Sequence, residues 1–129
     1  MKIRFCKKLH GGSAAQSGEI SSNESYPDII TTEQFNGKVL GENKFVLVLF
    51  FAKWCAPCKR MMPIIRECLE KIEIEITLYC VNVDESPELP PKHGVAGVPV
   101  LILFNEGLEV YRVYGADATE VEHLLKRLK

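Results

Sequence analysis

No apolar run in this 129-residue chain approaches the roughly 20 residues needed to cross a bilayer, so a membrane protein is not expected. Charge of one sign is also lacking. Sixteen basic residues against 17 acidic ones leave a formal net charge of −1, which offers no electrostatic footprint for nucleic acid or an acidic membrane. Histidine is scarce, with His93 and His123 isolated, and there is no second cysteine pair at zinc-ligand spacing. No metal site is expected. The five cysteines (6, 55, 58, 68 and 80) form no even, repeated framework of the kind that staples secreted domains. They read instead as one redox pair and three spare thiols in a reducing compartment. The basic N-terminus (Lys2, Arg4, Lys7, Lys8) is followed by no apolar h-region, so a secretory signal peptide is not supported.

The length suits a single domain, and a composition 47% hydrophobic and 26% charged is ordinary for a globular one. Residues 11–25 are rich in Gly, Ser and Ala, which assigns residues 1–26 to a flexible N-terminal tail and 27–129 to the folded domain. An organelle transit segment is the alternative for the tail. The first eighteen residues hold no acid, but Glu19 and Glu24 oppose that reading.

Within the domain, Ile29-Ile30 reads as a short first strand. Thr31 with Gln34 resembles a capping box, Phe35, Val39 and Leu40 follow at helical spacing, and Gly41 ends the helix. Phe45–Phe51 is continuously apolar, like a strand buried on both faces. Cys58, Met61, Met62, Ile65, Leu69 and Ile72 trace a helical stripe with a kink expected at Pro63. Residues 74–83 alternate as a strand. Ser86-Pro87 reads as a helix start, cut to about one turn by Pro90-Pro91. Val98–Phe104 reads as a strand, Asn105-Glu106-Gly107 as a turn and Leu108–Tyr114 as the returning strand. Asp117 caps a last helix with Val121, Leu124, Leu125 and Leu128 on its apolar face. The order β-α-β-α-β-α-β-β-α predicts an α/β fold with a mixed central sheet between helices.

The chemistry is concentrated in Trp54-Cys55-Ala56-Pro57-Cys58, placed where the buried strand gives way to a helix. Two cysteines three positions apart can switch between dithiol and disulfide, and the i,i+3 step puts both sulfurs on one side of the first turn. Free N–H groups and the dipole at the helix start favour the Cys55 thiolate, the species that attacks disulfides. Lys53 and Lys59 add modest positive potential.

This element order, with Trp-Cys-Ala-Pro-Cys-Lys and Gly97-Val98-Pro99, resembles the thioredoxin family over residues 29–128. The resemblance implies a thioredoxin-like fold and a protein disulfide reductase in which Cys55 is the exposed nucleophile and Cys58 the buried resolving thiol. It implies that Pro99 is a cis proline and that Val98 offers its backbone to an extended substrate. Trp54, Pro57, Val98 and Gly115 would border a shallow apolar groove, although a plain core role for Trp54 stays open. No bound cofactor is implied beyond the redox-active disulfide, with electrons coming from NADPH through a separate thioredoxin reductase. The resemblance further implies disulfide-containing proteins as substrates and action as a monomer, and the cytoplasm is the expected place, an organelle being the alternative.

Two departures bear on mechanism. The family usually holds a buried acid on the strand before the motif and a lysine on the next strand. The matching positions here are Leu49 and Cys80. Losing both charges is coherent, because a buried carboxylate without its partner is costly whereas two apolar residues pack. It leaves Cys58 to be deprotonated through water or substrate. Ala56 replaces the usual glycine, and the intervening dipeptide tunes redox potential. A thiol oxidase, an isomerase or a client-specific electron donor is therefore the alternative to a general reductase, with a binding module as a third reading. Cys68 and Cys80 read as buried structural thiols, and Cys6 as a tail thiol.

Overall fold

The computed structural model describes residues 2–4, 26–72 and 75–128. Five strands form one mixed sheet: β1 (Lys2–Arg4), β2 (Phe45–Phe51), β3 (Glu75–Asn82), β4 (Val100–Asn105) and β5 (Leu108–Tyr114), in the spatial order β1-β3-β2-β4-β5. β2 and β3 run parallel, while β1–β3, β2–β4 and β4–β5 pair antiparallel. The helices are α1 (Thr32–Phe35, continued to Leu40 as a wider π turn), α2 (Ala56–Glu70), α3 (Leu89–Lys92) and α4 (Ala118–Leu125).

The continuous apolar run of β2 is explained by burial on both faces. Leu47, Leu49 and Phe51 pack with α2 and α4, whereas Val46, Val48 and Phe50 pack with α1 and α3. The α2 stripe is buried as expected through Leu69, and the helix passes through Pro63. Ile72 leaves the stripe: it lies beyond the Lys71 cap and is exposed. The capping box is present, with Thr31 N donating to Gln34 Oε1 at 2.9 Å and Gln34 N to the Thr31 hydroxyl at 3.4 Å.

Four element readings are corrected. Ile29-Ile30 is not a strand but a single parallel bridge, in which Ile30 N donates to Cys80 O (2.9 Å) and Cys80 N to Asp28 O (3.1 Å). The Thr31 cap starts a helix at once and leaves no room for more. Lys2–Arg4, placed by the sequence in the tail, instead form the strand that pairs with β3 at Glu75–Thr77. The helix near Ser86-Pro87 begins only at Leu89. Pro90 and Pro91 lie within its first turn, where the missing N–H groups would have had no partner anyway. β4 begins at Val100 rather than Val98, since Pro99 has no N–H to give the ladder. Ile74 and Cys6 lie outside the described residues.

The β4–β5 turn is tight. Glu106 and Gly107 both take positive φ (56° and 81°), as a two-residue hairpin of right-handed twist requires. A Cβ on Gly107 would meet Leu40 O at 2.6 Å, so only glycine fits there.

Candidate active site

Cys55 is the N-cap of α2. Its extended backbone (φ −92°, ψ 109°) turns the chain out of β2, and its Sγ accepts the Cys58 N–H at 3.1 Å. Pro57 sits in the first turn and pre-sets φ there. Cys55 and Cys58 are joined as a disulfide with a Cα–Cα distance of 5.3 Å. The expected contrast between an exposed and a buried thiol is smaller than the sequence suggests: Cys55 is 4% exposed and Cys58 is fully buried. In the disulfide, the Cys55 sulfur is turned toward the helix end, where the Cys58 N–H meets it.

Trp54 is 71% exposed, which rules out a core role. Its indole Nε1 donates to Asp84 Oδ2 at 2.9 Å, and Asp84 N in turn donates to Asn82 Oδ1 at 2.9 Å. The ring is thereby fixed on the surface as one wall of a groove completed by Val83, Pro90 and the segment Val95, Ala96, Gly97 and Val98. The Val98–Pro99 bond is cis, and Gly115, at φ 79°, donates its N–H to Pro99 O at 2.9 Å. The structure thus brings Trp54 and Val98 into one groove and ties Gly115 to Pro99. Pro57 and Gly115 are not among the groove's lining residues. Val83, Asp84, Pro90, Val95 and Ala96 are site residues missed by the sequence reading. They lie about 30 to 40 residues from Trp54, and no local pattern announces them.

In the core cluster that also holds Cys55 and Cys58, Leu49 and Cys80 are neighbours in the parallel β2–β3 register, both fully buried. Burial pushes the Cys80 thiol up to about 12, so it stays protonated at neutral pH. Tyr26 stacks on Phe51 (centroids 3.8 Å apart) in the same core layer, and its pKa is raised, chiefly by burial. Cys68 is also buried and its pKa is raised, mainly by burial and then by nearby Glu122. Among the described residues, no group of three His, Cys, Asp or Glu side chains could hold a metal ion.

Residues 27–129 match the family model described as Thioredoxin. The chain belongs to the thioredoxin family. It is 38% identical over 78 residues to the thioredoxin of Rickettsia bellii, covering 60% of this chain and 74% of that protein. It is 39% identical over 87 residues to the thioredoxin of Mycobacterium tuberculosis, covering 67% and 75%. Among solved structures it is similar to Fasciola hepatica thioredoxin, with a TM-score of 0.67 and 28% identity over 79% of this chain and 99% of that one. The expected fold and activity class follow: this is a thioredoxin-type protein disulfide reductase, working through a redox-active disulfide for which Cys55 and Cys58 are the pair at bonding distance. Among the described residues, no helix is long and apolar enough to cross a membrane.

Proposed function

We propose that Cys55 is the attacking thiolate, Cys58 the resolving one, and the groove beside them the seat of an extended disulfide-bearing peptide. The observation that carries this is the placement of the Cys55 sulfur on the N–H of Cys58 at the start of α2, next to exposed Trp54. A thiolate there gains a donor and the positive end of the helix dipole.

The exchange balances in two steps. Cys55 S⁻ attacks one substrate sulfur, forming a mixed disulfide and releasing the other as a thiolate. Cys58 then loses its proton and attacks Cys55 Sγ, closing the Cys55–Cys58 disulfide and releasing the second substrate thiolate. Two electrons pass to the substrate, and its two thiolates take up protons. Leu49 and the protonated Cys80 share the core cluster of Cys58, and neither is the base for the second step. The proton leaves by way of water or the departing thiolate.

Val98 would offer its backbone to the peptide, with Trp54, Pro57, Pro99 and Gly115 shaping the surface around it. The family resemblance supports recharging by a separate NADPH-dependent thioredoxin reductase, no bound cofactor, and action as a monomer. The unpaired thiols Cys68 and Cys80 suit a reducing compartment, the cytoplasm.

Trapping tests the assignment. Insulin disulfides are offered with NADPH and thioredoxin reductase. Cys55→Ser should give no turnover and no adduct, while Cys58→Ser should accumulate a mixed disulfide through Cys55, seen by mass spectrometry. An adduct forming through Cys58 in the Cys55→Ser protein would reverse the roles.

A further inference from the structure

One wall of the groove, Val95 to Val98, is anchored in the core by its two valines, and the residues between them are open. Ala96 and Gly97 are exposed, and a Cβ on Gly97 would meet nothing within 4 Å. Beyond the packing of the valines and the bond from Val95 N to Pro90 O (2.8 Å), two attachments tie the wall to β5 and the residue after it. At its downstream end, Gly115 donates to Pro99 O. At its upstream end stands Arg112, three residues earlier and only 15% exposed in its side chain. Arg112 Nη1 donates to Gly94 O at 3.0 Å and Nη2 to His93 O. These carbonyls belong to the residue that caps α3 and to the glycine after it.

The guanidinium is itself held. Nε and Nη2 donate to the two Glu109 oxygens, each at 2.8 Å, in a bidentate fork, and Tyr114 lies 5.8 Å from its centre. The fork fixes the plane from which the remaining donors reach the two carbonyls.

We propose that Arg112 is a positioning residue for substrate binding, which sets the place of the Val95–Val98 wall opposite Trp54 without touching the reacting sulfurs. This rests on the groove reading above. The clamp acts on extended protein disulfides that need both walls and is indifferent to small disulfides that reach Cys55 alone.

The test compares Arg112→Met, Arg112→Lys, Glu109→Gln and Trp54→Ala in insulin turnover driven by dithiothreitol, and in the single-turnover reaction of the pre-reduced proteins, freed of dithiothreitol, with the small aromatic disulfide 5,5′-dithiobis(2-nitrobenzoate). Losing the charged fork and both carbonyl bonds in Arg112→Met is expected to raise KM for insulin about five- to tenfold, with kcat within about twofold and the small-disulfide rate unchanged. Arg112→Lys keeps the charge without the fork and should recover part of the loss. Glu109→Gln should act in the same direction at smaller size, and it keeps the test open if Arg112→Met does not fold. The emission of Trp54, the single tryptophan, should respond less to added insulin in the Arg112→Met protein.

An unchanged KM in Arg112→Met, with a raised KM in Trp54→Ala, overturns the clamp and leaves the groove standing. An equal loss on both substrates shows a general structural role and overturns it too. If neither Arg112→Met nor Trp54→Ala moves KM, the groove reading falls and takes the clamp with it.

Discussion

Leu49 is the residue at which this site parts from its family, and the β2–β3 register explains how the change is tolerated. Its neighbour in the pairing is Cys80, a thiol held neutral by burial, so the core that Cys58 shares with this pair carries no buried charge at these two positions. Leu49→Asp would put a carboxylate there without a lysine to pair with. Burial would raise its pKa, and the uncompensated group should cost about 2–4 kcal/mol of stability, read from denaturant unfolding. The same substitution should speed closure of the Cys55–Cys58 disulfide and add a new pH dependence to it, measured by stopped-flow dithiol exchange. No gain in rate and no new pH response would contradict the account of proton handling at Cys58.

The residues of the motif were legible because their chemistry is local. A thiol at a helix start, a proline in the first turn and a second thiol one turn on need only a few positions of sequence. The Trp54–Asp84 hydrogen bond and the Arg112 clamp were not legible. Each joins residues far apart in the chain, and neither partner stands out where it occurs.

At the scale of elements, α2 and α4 could be read because caps and apolar stripes agree. Thr31, Cys55 and Asp117 each accept an N–H at the start of a helix. α3 starts beyond Ser86-Pro87 because Pro90 and Pro91 form its first turn and do not break it. Ile29-Ile30 reads as a strand because two isoleucines carry strand propensity whatever their pairing, and the structure gives it a single bridge.

The end of α3 carries a pH prediction. The His93 ring lies 4.8 Å from Phe35, 5.9 Å from Phe104 and 6.3 Å from Phe50. Its pKa is lowered chiefly by burial, with Arg112 and Lys92 pushing the same way and Glu109 opposing. A lowered folded-state value means that the stability from neutral His93 is present above the ordinary histidine pKa of about 6.5. It is lost as pH falls through the folded value. Wild type should therefore lose more stability between pH 7 and pH 5 than His93→Phe, as measured by thermal unfolding. The chain's other histidines are common to both proteins. Equal slopes would show that His93 carries no such linkage.

For the whole molecule, the mixed sheet and its two helical layers followed from alternation, capping and one doubly buried strand. The strand pairing at the β3 edge did not. Lys2–Arg4 cover one part of that edge and the Ile29 bridge another, so two segments distant in sequence meet on it. Such pairing depends on contacts between distant parts of the chain, which periodicity does not record.

The fold brings the dithiol, an open groove and a family relationship together, and these favour electron flow out of the protein. Ala56 and the uncharged layer at Leu49 and Cys80 are the features that could tip that balance. The most direct measurement is the equilibrium reduction potential of the Cys55–Cys58 pair against a glutathione buffer. The account predicts a strongly reducing value, about −270 mV as in thioredoxins, and a value near the −120 mV of dedicated oxidases would contradict it.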